Sequence, residues 1–448
     1  MDFKDFLKEA AHVKPTEKQL KFLRETPFYA FIHFSPNTFT GLEWGNGDED
    51  PAIFNPTELD CDQWVQTVKA AGMKGLVLTA KHHDGFCLWQ SKYTEHCMKN
   101  SPYKNGKGDI VKETAEACKR HGIKFGFYLS PWDRNSEYYG TDEYNTYYKN
   151  QLTELLTNYG EIFYIWFDGA CGEGPNGKKQ VYDFDGFLEL IHKYQPNAAI
   201  FHDKGMIRWC GNEEGAAPYA QWAVVPMELC PMNAPQTKGP LVEGSLDYNY
   251  NTDIGIGTLP NIMYSKGLVF APAETDMSIR PGWFYHENEE PHSLERLFET
   301  YLRTVGNNAT FNLNVPPMPN GKLNDKDVQR LKELGELIEN EFKTNIAENA
   351  EITVLEGYGK TQPEYVVKLA EPHKIKYVEI AERISEGQRI ETFAILAKDE
   401  NGIFMPKEQG TTVGSRKIVK TDGFTTDEVK IRITSSRDIP DIEWIKLY

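Results

Sequence analysis

Asp168 ends the apolar run Ile165, Trp166, Phe167 in "YIWFDGA", and Gly169 follows it. An ionisable side chain at the end of a buried strand, with a glycine that lets another group come close, is placed for chemistry rather than for solubility. A second source of carboxylates is "RWCGNEEG", where Glu213 and Glu214 follow Arg208 and Trp209. Two carboxylates at one mouth among Trp, Tyr and His are what glycoside hydrolysis uses. One acts as nucleophile, and the other serves as general acid and then general base. On an acidic chain a single Asp or Glu is more often a cap or a salt-bridge partner, but the position of Asp168 reverses that balance.

The stretch "LTAKHHDGF" sets His82, His83 and Asp84 side by side at the end of another apolar run. It reads as a metal site, a polar pocket for a hydroxylated ligand, or a hydrogen-bonded turn. Adjacent residues on a regular strand face opposite ways, so both histidines cannot ligate one ion without a bulge or bend. The first apolar run offers only His33, not the His-x-His pair that barrel metallohydrolases use. A neutral sugar asks less: one inward imidazole suffices and its neighbour braces it. No metal ligand set and no cofactor are therefore expected.

Positioning these groups requires strands that end together. "FYAFIHFS" (28–35), "GLVLTAKHHDG" (75–85), "KFGFYLSPWD" (124–133), "EIFYIWFDG" (161–169) and "AAIFHDKG" (198–205) alternate with helix-like segments that stop near Gly or Pro-Asn. Buried, non-alternating strands joined by helices imply a parallel sheet covered on both faces. No Gly-rich phosphate loop follows the first strand. His33, His82, Asp133, Asp168 and Asp203 each terminate a run, as catalytic residues do at the C-terminal end of a barrel. The expected fold is a (β/α)8 TIM-like barrel, irregular in its later units. There "RWCGNEEGAAPYAQW" and "PMNAPQTKGPLVEGS" read as long loops, and "GLVFAPAETD" and "ATFNLNVPP" complete the ring. An amphipathic helix over 325–342 forms the joint. Beyond it "EYVVKLA", "KYVEIAE", "ETFAILAK", "RKIVK", "EVKIRIT" and "IEWIKLY" predict a small antiparallel β-sandwich. The expected domains are a barrel over 1–345 and a sandwich over 346–448.

The chain has 448 residues, enough for two domains. Its formal net charge of −17 argues against nucleic acid or an anionic membrane as partner, and no apolar stretch is long enough to span a bilayer. Seven cysteines without CxxC pairs read as buried thiols. The charged, amphipathic start lacks a signal-peptide apolar segment. The compartment stays open: periplasmic or secreted if a signal was trimmed, otherwise cytoplasmic. Oligomeric state is not legible.

"FIHFSPNTFTGLEWGNG", "TAKHHDGFCLWQSKYT", "YLSPWDR", "IWFDGA", "RWCGNEEG" and "SIRPGWFYH" occur in that order, and the chain resembles glycoside hydrolase family 29, the retaining α-L-fucosidases. The likeness runs over nearly the whole barrel, and the "RW-x-GNE-x-G" pattern resembles the branch acting on α-1,3/1,4-linked fucose. The resemblance implies a catalytic barrel with a C-terminal β-sandwich, no metal, and fucosylated oligosaccharides or glycoconjugates as substrates. It maps the nucleophile to Asp168 and the acid/base to Glu213, with Glu214 and Glu274 as reserves. Fucose-binding positions map to His33, Glu43, Trp44, His82, His83, Trp132 and Trp283. Phe34, Trp132 or Trp283 could cover the sugar's C5 methyl group. Two other readings compete, a non-catalytic glycan-binding protein and a metal-dependent barrel hydrolase.

Overall fold

The computed structural model describes residues 3–201, 206–229, 238–239, 248–249 and 255–448. Eight strands run parallel around one ring. In chain order they are Phe28–Ile32, Gly75–Lys81, Lys124–Leu129, Tyr164–Trp166, Ala199–Phe201, Arg208–Trp209, Ala273–Ser278 and Ala309–Asn314. The first strand pairs with the second and the eighth, and the other pairings follow round to the fifth on one side and the sixth on the other. A parallel bridge between Phe201 and Ile207 closes the gap. This is the expected TIM-like barrel. Helices start on side-chain caps: the carboxylates of Asp60, Asp109 and Asp183 accept from backbone N–H groups of their first turns, which replaces hydrogen bonds the helix cannot make for itself.

Strand parity decides what faces the mouth. Tyr29 and Phe31, Val77, Tyr128, and Tyr164 and Trp166 fill the barrel interior. The alternate residues Phe28, Ala30 and Ile32, Leu76 and Leu78, and Ile165 pack outward against the helices. Continuing each count carries His33 and Asp168 to the inner side at the C-terminal end. The same count sends Phe34 outward, where it packs on Phe39, Phe54 and Trp64; it is not available to cover a sugar methyl group.

Several elements differ from the sequence expectation. "GLVFAPAETD" is two strands, not one. Leu268–Phe270 pairs antiparallel with Val224–Pro226 outside the ring, and Ala273–Ser278 is the seventh barrel strand. Pro272 has no N–H to continue a ladder. The start of the expected loop 208–222 is the two-residue sixth strand, held where the Arg208 guanidinium donates to Ala271 O and Trp222 O. Asp203 lies outside the described residues.

Beyond the helix Asp325–Phe342, six strands form an antiparallel sheet over a separate core that includes Val367, Ile375, Phe393, Ile395, Val429 and Ile431. This is the expected sandwich, built from longer strands than the sequence implied. "EYVVKLA" and "KYVEIAE" belong to one strand, Glu364–Glu382, and "RKIVK" and "EVKIRIT" to another, Lys417–Ser436. Pro372 falls within a register shift between these two strands, and Gly423, at φ +82, lies opposite the next shift. Each is absorbed as an irregularity in a continuous strand rather than forming a turn.

Candidate active site

The carboxylate of Asp168 stands at the end of the fourth strand, 24 % exposed. Tyr128 Oη donates to its Oδ2 at 2.9 Å and the Ala170 N–H to its Oδ1 at 2.7 Å. Both oxygens thus have fixed donors, which orient the group. His83 Nε2 lies 3.5 Å from Oδ2.

Glu213 enters from the turn after the sixth strand. Asn212 Oδ1 accepts from the N–H groups of Glu214 and Ala216, and its Nδ2 donates to Ala216 O. Gly215 takes φ +66, a backbone that β-carbon residues resist. The turn delivers Glu213 to Trp283, whose Nε1–H donates to its Oε2 at 3.2 Å. Glu213 is exposed as a residue, yet the mouth crowds its carboxyl. Desolvation, followed by the charges of Asp168 and Glu43, pushes it above the usual carboxylate range, and the Trp283 N–H pulls the other way. A carboxyl raised beside a second carboxylate is what a general acid requires.

The two reserve carboxylates sit elsewhere. Glu214 is exposed, and its backbone bridges to Met277. Glu274 is fully buried inside the barrel, where it accepts from Tyr29 Oη, Tyr164 Oη (2.6 Å), Trp166 Nε1 (2.7 Å) and Asn312 Nδ2 (3.3 Å). Those donors tie it into the barrel floor below the mouth.

His82 and His83 lie beyond the end of the second strand, after a register shift between Thr79 and Lys81. That irregularity breaks simple alternation, and both imidazoles join the mouth with ring centroids 4.3 Å apart. The expectation that one faces in while the other faces away does not hold, because the residues are no longer on a regular strand. His82 stacks on Tyr128 and meets His33 edge-on; His83 leans on Trp132. Burial holds all three histidines below the usual imidazole range, His33 at about 4. Among the described residues no group of three His, Cys, Asp or Glu side chains is arranged to hold a metal ion.

Asp84, the third member of the motif, is structural. Its Oδ2 accepts from Ser35 Oγ at 2.8 Å and its Oδ1 from the Phe86 N–H at 2.7 Å. Asp133 is likewise buried, paired with Lys81 Nζ at 2.9 Å and accepting from the N–H groups of Asn135 and Ser136. This pair fixes the loop that carries Trp132.

Trp44 is exposed and meets His83 and Trp132 edge-on, forming an aromatic corner. Trp283 lies 5.1 Å from the His33 ring. The carboxylate of Glu43 is engaged by the loop after the seventh strand: Trp283 N–H donates at 2.8 Å, Phe284 N–H at 3.4 Å, and His286 Nε2 lies at 2.7 Å. The structure thus gathers His33, Glu43, Trp44, His82, His83, Trp132, Asp168, Glu213 and Trp283 at one mouth. Sequence reasoning missed Tyr128, Ser130 and Asn314. Asn314 ends the eighth strand, the same signal that singled out His33 and Asp168. Tyr128 looked like one more core aromatic.

A protein-family model described as alpha-L-fucosidase matches residues 29–341. The chain is 38 % identical to Alpha-L-fucosidase 1 of Arabidopsis thaliana, over 93 % of this chain and 84 % of that one. Among solved structures it is similar to a glycoside hydrolase 29 family member from an unknown rumen bacterium (36 % identity, TM-score 0.85, 98 % of this chain and 78 % of that one). It is also similar to a Ruminococcus gnavus glycoside hydrolase 29 fucosidase in complex with fucose (30 % identity, TM-score 0.82, 98 % and 95 %).

Proposed function

The chain belongs to the α-L-fucosidase family of glycoside hydrolases, and from that premise we propose that it removes terminal α-1,3/1,4-linked fucose from glycans with retention of configuration. Asp168 attacks the anomeric carbon and Glu213 protonates the departing oxygen. A fucosyl ester forms on Asp168; Glu213, now a base, takes a proton from water, which displaces the ester and frees fucose. The observation that carries this reading is the asymmetry of the two carboxylates. One is clamped by a phenol and a backbone N–H; the other is held by an indole and pushed toward its acid form.

His33, His82 and His83 read the sugar hydroxyls, while Trp44, Trp132 and Trp283 wall its apolar faces. Glu43 contributes by fixing Trp283. The route uses no metal and no cofactor. The "RW-x-GNE-x-G" pattern supports the α-1,3/1,4 linkage. A catalytic barrel over 1–345 and a sandwich over 346–448 belong to the same reading.

Proton NMR of the first product tests the mechanism, with a branched fucosylated trisaccharide as substrate and an α-1,2-linked disaccharide beside it. The expected first product is α-L-fucose, released faster from the branched substrate. Initial β-fucose would overturn the double displacement, and faster cleavage of the α-1,2 linkage would overturn the assigned specificity.

A further inference from the structure

The hydrogen-bond network fixes where two of the mouth's histidines carry their protons. Asn314 supplies the first constraint. Its amide accepts from the His33 backbone N–H at 3.2 Å, a group that can only donate, and reaches Trp283 O at 2.7 Å, a group that can only accept. Those two partners leave one orientation of the amide, with Oδ1 toward His33 and Nδ2 toward Trp283. His33 Nδ1 lies 2.9 Å from the same Oδ1, so Nδ1 must carry the proton and donate. A neutral imidazole then has a bare lone pair on Nε2.

Ser130 supplies the second constraint. Its hydroxyl lies 2.6 Å from Trp132 O, which can only accept, so the single hydroxyl proton points there. Ser130 Oγ is left as an acceptor at 2.7 Å from His83 Nδ1, which must therefore be the protonated nitrogen. His83 Nε2 then carries a lone pair, 3.5 Å from Asp168 Oδ2. Two acceptors face each other across that gap, and a ligand hydroxyl placed beside His83 Nε2 can donate its single proton to that lone pair. Burial favours the neutral form of both rings. Among the described residues His82 has no such neighbour: its Nδ1 is buried without a partner there, and the proposal does not include it.

We propose that His33 and His83 act as obligate hydrogen-bond acceptors in the mouth, so that the site selects a sugar by two hydroxyls that must donate. The proposal rests on the reading of the mouth as a fucose site and deepens it: it assigns the polarity of recognition, not just the contacts. Fluorine replaces a hydroxyl in size and keeps weak acceptor character but has no proton to give. A donor-reading site therefore rejects a deoxyfluoro sugar as firmly as the deoxy sugar.

The test has two arms. In protein labelled with 15N-histidine, long-range 1H–15N spectra report the protonated nitrogen of each ring, with His33→Gln and His83→Gln assigning the peaks. Both rings are expected to be protonated on Nδ1 in the unliganded protein; an Nε2–H form of either overturns the proposal without bearing on function. In the second arm, inhibition by L-fucose is compared with its 2-, 3- and 4-deoxy and deoxyfluoro analogues. At two positions the fluoro and deoxy analogues are expected to be equally weak, each at least about tenfold weaker than fucose, the scale of a lost hydrogen bond that strands its buried partner. Fluoro analogues binding within about threefold of fucose at every position would overturn the proposal while leaving the fucosidase reading intact. Failure of fucose itself to bind would instead sink the assignment of the mouth on which the proposal rests.

Discussion

Asp168 and Glu213 share a mouth but not an environment, and substitutions should separate them. Asp168→Ala removes the group to which the sugar is transferred, so turnover should vanish with every substrate, read by release of nitrophenol and of free fucose alike. Glu213→Ala should still transfer fucose from aryl fucosides whose leaving groups need no proton, and azide should restore part of the rate because it needs no general base. Azide rescue of Glu214→Ala beside a fully active Glu213→Ala would move the acid/base by one residue. Trp283 gives a finer handle. Its indole N–H favours the ionised form of Glu213, so Trp283→Phe keeps a ring and removes that donor. The carboxyl should then hold its proton to higher pH, moving the basic limb of the kcat/KM profile in the alkaline direction. A shift to lower pH, or none, would show that the N–H does not act on Glu213.

At the scale of the element, the turn after the second strand explains why "HHDG" is built as it is. Gly85 has φ +79, and a β-carbon there would collide with Asp133 Oδ1 and the Asn135 side chain. Those groups are fixed by the Lys81 ion pair and by two backbone N–H donors. Gly85→Ala should therefore cost about 1–3 kcal/mol, measurable as a lower urea midpoint. Asp84 makes the same turn sensitive to pH. Burial above all, aided by Glu49 and Asp133, raises its carboxyl to about 7 from an ordinary 3.8. The folded state thus binds a proton that the unfolded chain has already lost. This contribution to stability is complete below pH ~4 and disappears as pH rises through ~7. Asp84→Asn keeps an acceptor for the Phe86 N–H and offers an N–H to Ser35. It should flatten that part of the stability curve and raise the melting temperature most at pH 8; a mutant curve parallel to the parent's would refute the assignment. How much of this was legible from sequence depended on range. His33 and Asp168 could be placed by counting along single strands. The shift that turns both His82 and His83 into the mouth depends on pairing with the third strand, and a single strand's pattern does not contain its partner's register. Arg208–Trp209 was unreadable as a strand because two residues carry no period. Glu43 could be picked from a motif, but its hold on Trp283 crosses 240 residues of chain.

At the scale of the whole molecule, the antiparallel domain does more than pack against the barrel. It grips the segment that follows the Glu213 turn. Thr412 Oγ1 accepts from the Gln221 N–H at 3.0 Å, Gln388 Oε1 from the Ala223 N–H at 2.8 Å, and Lys417 Nζ donates to Tyr219 O and Asn307 Oδ1. Lys417 is buried there, and desolvation lowers its ammonium to about 7. Phe342, on the helix that joins the two parts, also packs against Tyr377 and Tyr448 of the second domain. Removing that domain would break these hydrogen bonds and open to water the apolar surface that it covers. Barrel and sandwich should therefore melt as one cooperative unit, seen in calorimetry as a single transition whose van't Hoff and calorimetric enthalpies agree. Two resolved transitions would show that the sandwich is an independent attachment. The same coupling reaches catalysis. Thr412→Val removes the acceptor for Gln221 and loosens the anchor of the Glu213 turn about eight residues away, without touching the mouth. It should lower kcat on natural glycans, which need a well-placed acid. It should have less effect on aryl fucosides whose leaving groups depart unprotonated. Equal losses on both substrates would mean that the domain supports the whole barrel rather than this turn.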